Sequence, residues 1–183
     1  MAGCPDCGFA FVEVSSDPDP ALPTWGYDES AFASAGDVIT TASERIAEIV
    51  RSQGANLRVR PEPDRWSSLE CACHVRDVLL IQRERVLKAL RGHGDEVLPM
   101  GRDERVVDDG YNEQQPVNVA LQVEQAAVLL VDLLQRLRPS DWDLEVAYLF
   151  PEASRRTLRW VAVHTAHEAT HHLHDIDGKA RTS

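Results

Sequence analysis

Four long segments of this chain carry apolar residues at helical spacing, with proline and glycine residues between them. They lie at about residues 30–53, 67–90, 116–137 and 152–175. None shows the strict alternation of apolar and polar residues that is typical of a half-buried strand. A chain of 183 residues is long enough for one domain with a hydrophobic core. The pattern therefore predicts an all-α protein built as a four-helix bundle.

The second and third segments have readable boundaries. Ser67 precedes Glu70 by three residues, which is the spacing of a capping box, and Trp66 stands at the hydrophobic position just before. Gly92 predicts the end of that helix, and Pro116 suits the first turn of the next one. Between them, residues 101–115 form a polar connection that is long for a compact domain, which raises the prospect of a functional loop.

The N-terminal segment differs in composition from the rest. Residues 1–30 contain Cys4-Pro5-Asp6-Cys7-Gly8 and a proline-rich run, and no helical period is visible there. We expect an irregular segment at 1–30, anchored by Trp25 and Tyr27, in front of a bundle that covers 31–183.

The formal net charge of −11 limits the class of partner. Nucleic acids and anionic membranes both require a basic surface, so neither is expected as a partner. No apolar run in the sequence approaches a membrane span, and the N-terminus lacks a signal-peptide pattern. We expect a cytoplasmic protein with reduced thiols, acting on small molecules, with a homodimer as one possible assembly.

Histidine is concentrated near the C-terminus, where residues 164–175 hold five of the seven histidines of the chain. Imidazole with a carboxylate one helical turn away is a common ligand set for a divalent transition metal. At 100° per residue, with His164 at the origin, Glu168 falls at about 40° and His172 at about 80°, beside the predicted core face. The competing pair, His167 and His171, falls nearly opposite the core. Periodicity therefore favours Glu168 and His172 as the inward pair.

A third ligand is expected from another helix. His74 shares a stripe with Val78, Ile81 and Arg85 and should point into the bundle, whereas His93 lies between two glycines at a helix end and should be exposed. His74, Glu168 and His172 are thus the predicted metal ligands. Three protein ligands with an open position are typical of a catalytic site.

More ordinary roles exist for the same residues. An inward histidine such as His74 is often a hydrogen-bonded core residue, and His167, His171 and His174 fit a solvated face or an outer layer around the ligands. The cysteines also have several possible roles. Cys4, Cys7, Cys71 and Cys73 could be small buried or free thiols, and Cys4 with Cys7 could instead hold a second zinc or form a redox pair.

These residues resemble the DinB-like superfamily of four-helix metalloproteins, including an actinobacterial branch. The resemblance rests on Trp66-Ser67-Ser68-Leu69-Glu70, on Cys73-His74-Val75-Arg76-Asp77-Val78, and on the segment His167 to Ile176, with the opening Cys4-Pro5-Asp6-Cys7-Gly8-Phe9 as a further likeness. In that family one histidine of the second helix and two residues four apart on the last helix bind a divalent ion, often zinc or nickel. Carried over to this chain, these positions are again His74, Glu168 and His172.

The resemblance also implies a chemistry. The presence of Glu168 departs from the commonest three-histidine form and is similar to the His/Glu/His set of mycothiol-dependent maleylpyruvate isomerases. Other relatives are thiol S-transferases. The expected function is a metal-dependent, thiol-dependent transferase or isomerase acting on a small electrophile, with Glu168 and Arg85 as candidate catalytic residues. Arg85 would bind a carboxylate, or would merely pair with Glu84 or Asp77. A metal-dependent hydrolase and a non-enzymatic metal-binding module of the stress response are the alternatives.

Overall fold

The computed structural model describes residues 29–52, 54–149 and 153–181. Its elements are five α-helices, three short 3-10 helices and two strands. The helices are α1 (Glu29–Ser52), α2 (Ser68–Leu90), α3 (Arg102–Asp108), α4 (Pro116–Gln135) and α5 (Leu158–Arg181), the strands are β1 (Glu145–Tyr148) and β2 (Ser154–Thr157), and the 3-10 helices are Ala55–Arg58, Tyr111–Glu113 and Pro139–Asp143. Residues 1–28 of the predicted irregular segment, with Cys4, Cys7, Trp25 and Tyr27, lie outside the described residues, and its last two residues belong to α1.

The four long helices form the predicted bundle. Helix α1 packs against α4 and α5, and α2 packs against the same two helices, so that α1 and α2 face each other across the core. The core is aliphatic, with a few aromatic rings, and its fully buried residues include Ile39, Ile46, Leu79, Leu130 and Leu158. Since α2 and α5 are neighbours, residues on their facing sides can form one site.

Helix α2 begins and ends where the sequence predicts. The hydroxyl of Ser67 accepts a hydrogen bond from the Glu70 amide at 3.1 Å, and the Glu70 carboxylate accepts one from the Ser67 amide at 2.7 Å. Arg60 also binds that carboxylate, at 2.6 Å. At the other end Gly92 has a φ of 79°, a left-handed conformation that favours glycine after a helix. The capping box and Gly92 set the two ends of α2, the helix that carries His74.

A hairpin replaces the predicted start of the last helix. We expected helix from Glu152, but residues 154–157 pair with β1 in antiparallel register, Glu145 opposite Thr157 and Tyr148 opposite Ser154. The hairpin buries Val146 and Tyr148 on one face. Helix α5 then starts at Leu158, and the Thr157 hydroxyl accepts a 3.3 Å hydrogen bond from the Trp160 amide in the manner of an N-cap. Two strands of four residues are too short for a clear sequence period.

The polar connection at 101–115 is ordered around one tyrosine. Tyr111 is fully buried, and its hydroxyl donates a 2.6 Å hydrogen bond to Asp77 on α2. Asp77 also accepts bonds from Arg76 at 2.7 Å and from Arg105 at 3.3 Å. The buried carboxylate of Asp77 therefore attaches this connection to α2. The short helix α3 lies within the connection.

By length and composition alone, helix α4 is long and apolar enough to cross a membrane, so the expectation that no apolar run approaches a membrane span is wrong for this segment. Half of the apolar stretch of α4 is buried inside the protein. The buried side, which includes Val119, Val123 and Leu130, packs against α1 and α2. A core helix of a bundle has the same properties, and α4 occupies such a position here.

Candidate metal centre

Three side chains from α2 and α5 converge between these helices. Oε2 of Glu168 lies 3.8 Å from Nε2 of His74 and 3.9 Å from Nε2 of His172. One donor atom from each of the three residues lies within 4.8 Å of the other two. His74 and His172 are 3% and 5% exposed, and the Glu168 side chain keeps 20% of its surface. The structure thus brings together all three predicted ligands, and solvent reaches them at Glu168.

The separations fit a shared ion better than direct hydrogen bonds. Hydrogen bonds between nitrogen and oxygen are about 2.7–3.2 Å long, so neither pair makes one. Two donors that each lie about 2.1 Å from one divalent ion are at most about 4.2 Å apart. The His74–Glu168 and His172–Glu168 distances fall below that limit. Two nitrogens and one carboxylate oxygen also suit zinc and nickel.

The local environment sets the charges of the three groups. Burial is the main cause that lowers the pKa of His74 to about 4, so its imidazole is neutral and can offer a lone pair. Burial raises the pKa of the Glu168 carboxyl, but His74, His164 and His172 outweigh that effect and hold it below its usual range. Burial lowers the pKa of His172, while Asp175, Cys71 and Glu168 act more strongly and raise it to about 10. An ion at this site must displace that proton.

Trp66 covers the histidines from outside the helix pair. Its ring centroid lies 4.9 Å from that of His74 and 6.1 Å from that of His172, nearly parallel to the latter. The guanidinium of Arg102 stacks on the same indole at 4.5 Å. Among the described residues Nδ1 of His74 has no hydrogen-bond partner, so packing against Trp66 and His172 orients that ring.

His164 also belongs to this site, although the helical periodicity of α5 did not predict a role for it. It lies four residues before Glu168, and its Nε2 is 3.5 Å from Oε1 of that carboxylate. The ring stacks on Trp160 at 4.5 Å, and Nδ1 is 3.4 Å from the amide nitrogen of Gln82. Burial lowers the pKa of His164, so the ring is neutral. The spacing of four from Glu168 was the available signal.

Of the two roles expected for His167, the solvated face is wrong, and its position beside Glu168 fits the outer layer around the ligands. Its side chain is 1% exposed, and Nε2 lies 3.8 Å from Oε1 of Glu168. All eight residues from Trp160 to His167 are buried, so this half of α5 is enclosed on every side and a helical wheel cannot separate an inner from an outer face. His171 is partly exposed, at 16% of its side chain, while His174 and His93 are exposed as expected.

Arg85 faces the same region from α2. Its guanidinium stacks on the Tyr148 ring at 4.3 Å and donates hydrogen bonds to Gln82 at 3.2 Å and to the Leu98 carbonyl at 2.7 Å. The Tyr148 ring is in turn 6.0 Å from that of His164. The expected alternative of pairing with Glu84 or Asp77 is wrong, because other arginines hold both carboxylates. Arg85 forms no ion pair within the described part of the chain.

The cysteines divide between the two parts of the chain. Cys4 and Cys7 lie outside the described residues. Cys71 and Cys73 are buried thiols on α2 that form no disulfide within the described part of the chain. Cys73 lies 3.7 Å from the Tyr111 carbonyl, and burial, the largest effect, raises the pKa of its thiol to about 12, which makes it an inert packing residue. The Cys71 sulfur lies within 4.8 Å of a ring nitrogen of His172.

Comparison with known proteins supports the same fold. A family model described as the DinB superfamily matches residues 39–176, which is more than half of the chain. Among solved structures, YfiT from Bacillus subtilis superposes with a TM-score of 0.74 at 13% identity, over 87% of this chain and 91% of that chain. That protein is described as a probable metal-dependent hydrolase with an unusual four-helix bundle topology. No curated protein matches the chain.

Proposed function

The chain belongs to the DinB superfamily, and from that premise we propose that it is an enzyme that binds a divalent metal at His74, Glu168 and His172. The convergence of the three donors within 4.8 Å is the observation that carries the proposal. Three ligands leave positions open for substrate, which is the catalytic pattern. Zinc or nickel is the expected ion, since the donor set is two imidazoles and one carboxylate.

The proposed reaction is thiol-dependent S-transfer or isomerisation of a small electrophile. A divalent ion supplies a Lewis acid that lowers the pKa of a thiol or a water bound to it. His164 and His167, both neutral because burial lowers each pKa, stand beside Glu168 and are suited to accept the proton that the thiol gives up. The protein then needs no nucleophile of its own.

Arg85 supports the binding of an anionic substrate in this proposal. The Arg85 guanidinium has no carboxylate partner among the described residues. It stacks on Tyr148, whose ring lies beside His164 at the site. A carboxylate on the thiol or on the electrophile would supply that partner, in a charge-assisted hydrogen bond. Small thiols and small electrophiles are therefore the proposed partners, in a cytoplasmic setting.

The test is direct. The purified protein, loaded with Zn²⁺ or Ni²⁺, is incubated with mycothiol, bacillithiol or glutathione and a halogenated aromatic electrophile. We expect conjugation that requires the metal and is lost in Glu168→Gln, which keeps the shape of the side chain but removes the charge. Conjugation that persists at the wild-type rate after the metal is removed would overturn the proposal.

A metal-dependent hydrolase is the second candidate, and the description of YfiT favours it. The same neutral histidines would then take a proton from water. Ester or amide hydrolysis without any thiol, lost in Glu168→Gln, would identify this reaction. Inactivity in both assays with metal still bound would favour a non-enzymatic metal-binding module.

A further inference from the structure

A second group of metal-ligating side chains lies on the far side of His172. One donor atom each from Cys71, His172 and Asp175 lies within 4.8 Å of the other two. Cys71 is 2% exposed and His172 is 5% exposed, while the Asp175 side chain keeps 29% of its surface. The group is therefore closed on the side of the core and open to solvent at Asp175.

The ring of His172 separates the two groups. Its Nε2 faces Glu168 at 3.9 Å, and its Nδ1 faces Asp175 at 3.3 Å. A histidine that binds one metal usually donates its other ring N–H to a carboxylate. Here Nδ1 is buried and makes no hydrogen bond with any described residue, although Oδ2 of Asp175 is close enough for one. A separation of 3.3 Å suits two ligands of one ion as well as it suits a hydrogen bond.

An ion shared by His172 and Asp175 accounts for a close approach without a hydrogen bond. A hydrogen-bond acceptor lies along the N–H direction, whereas a second metal ligand lies to the side of it. Two donors about 2.1 Å from a tetrahedral ion are about 3.4 Å apart, close to the observed 3.3 Å between His172 and Asp175. The Cys71 thiol completes a set of sulfur, nitrogen and oxygen donors.

From this geometry we propose that Cys71 Sγ, His172 Nδ1 and the Asp175 carboxylate form a second metal site that takes a thiophilic divalent cation such as zinc. The inference extends beyond the proposed enzyme activity and holds whichever reaction the first site performs. With both sites filled, the His172 ring lies between the ions and binds one through each nitrogen. Binding of the second ion releases the proton of the Cys71 thiol and the Nδ1 proton of His172 to solvent.

Two further side chains, His171 and Arg65, lie beside Asp175. His171 Nε2 is 3.6 Å from Oδ2 of Asp175 and can approach as a fourth donor. Arg65 lies 3.9 Å from the other oxygen of Asp175 and is itself more than half exposed, so it does not occupy the site. The thiolate and the carboxylate together carry two negative charges, which balance the charge of a divalent ion.

Cobalt is the probe, because a thiolate bound to Co²⁺ gives a charge-transfer band in the near ultraviolet that nitrogen and oxygen ligands do not give. The full-length chain is used with Cys4→Ser and Cys7→Ser, so that the N-terminal pair contributes no thiolate. We expect two Co²⁺ per chain and a thiolate band. Cys71→Ser should remove the band and one ion, while Cys73→Ser, the matched buried cysteine that faces Tyr111, should keep both.

Two further variants make the result decisive. Asp175→Asn keeps the shape of a partly exposed side chain. It should lower the affinity for the Co²⁺ that gives the band by more than about tenfold. His74→Ala should remove one ion and leave the band, which separates this site from the one proposed for catalysis. Thermal melts of each apo-variant show whether it is folded. One Co²⁺ per chain without a band in a folded parent protein, or a band that survives Cys71→Ser, would overturn the second site.

Discussion

Nε2 of His74 and Oε2 of Glu168 lie 3.8 Å apart, which places a residue of the second helix against one near the end of the chain. The two oxygens of Glu168 have different neighbours. Oε2 faces His74 and His172, while Oε1 faces His164 and His167. One carboxylate therefore connects the proposed metal ligands to two neutral imidazoles, and this connection joins metal binding to proton transfer in the proposed reaction.

Loss of His74 should cost one bound metal ion. His74→Ala removes the ligand that α2 supplies, and we expect the affinity for that Zn²⁺ to fall by more than about a hundredfold. Mutation of residues that only hydrogen-bond to a metal ligand already lowers metal affinity by about 10- to 100-fold. Isothermal titration of the metal-stripped protein measures the loss. His93→Ala, an exposed histidine at the end of α2, is the matched control and should bind as the wild type does.

Two results would contradict this assignment. Wild-type affinity and stoichiometry in His74→Ala would remove α2 from the site. Loss of the ion in His167→Ala or His171→Ala, with Glu168→Gln unaffected, would instead establish the competing pair of residues four apart on α5.

Substitution of Arg85 should act on substrate binding and not on the metal. We expect Arg85→Gln to raise the KM for an anionic thiol or electrophile by about tenfold or more, which corresponds to the loss of one charge-assisted hydrogen bond. Metal content should not change, because Arg85 contacts Tyr148, Gln82 and Leu98 and none of the three ligands. Steady-state kinetics with metal analysis separates the two effects.

Arg83→Gln is the control for Arg85. Arg83 lies two residues earlier on α2 and pairs with Glu84 at 2.6 Å, so its loss should leave KM unchanged. An equal rise of KM in both variants would show a general effect of positive charge. A fall in metal content in Arg85→Gln would place that residue among the supports of the metal ligands.

Much of this arrangement was visible in the sequence. The capping box at Ser67 and the stop at Gly92 fix the limits of α2 through local hydrogen bonds and backbone conformation, and local rules predict them well. The inward position of His74 followed from its helical stripe. These features depend on neighbours within one or two turns of helix.

The features that were not predicted depend on distant parts of the chain. The wheel placed His167 outside because it assumes one buried face, but the first half of α5 is enclosed by other helices and the hairpin. The hairpin consists of two short segments that form strands by pairing with each other. The contact of His164 with Gln82 joins α5 to α2 in the same way. Only tertiary packing determines these contacts.

The Asp77 carboxylate should make stability depend on acid pH. Burial raises its pKa, but hydrogen bonds from Arg76 and Tyr111 and the charge of Arg105 outweigh burial and hold the pKa below the ordinary value. The carboxylate therefore stabilises the fold fully above its unfolded pKa of about 3.9, and the contribution is lost as the pH falls through the lower folded pKa. Melting curves between about pH 5 and pH 2 should show this stability declining below about pH 3.9.

Asp77→Asn isolates that contribution. Breaking a buried ion pair costs about 3 kcal/mol, so the variant should be less stable at pH 7 and should lose less stability on acidification than the wild type. Asp103→Asn, whose side chain is 88% exposed, is the control and should stay within about 0.5 kcal/mol of wild type. Parallel pH profiles for Asp77→Asn and the wild type would show that other carboxylates control the acid response.

Gly94 is expected to tolerate no side chain, because the hairpin passes directly over it. A Cβ at this position would collide with the carbonyl oxygen of Glu145, and the Gly94 carbonyl accepts a 2.8 Å hydrogen bond from the Ala147 amide. Gly94→Ala must push β1 away from the end of α2, and we expect a loss of about 1–3 kcal/mol in the free energy of unfolding. Gly178→Ala, in α5 with no atom near its Cβ position, should be neutral or stabilising by up to about 1 kcal/mol. Denaturant titrations of the two variants measure the contrast. Equal stability of Gly94→Ala and wild type would mean that the contact between Gly94 and β1 does not hold the hairpin, and with it Tyr148, in place beside Arg85.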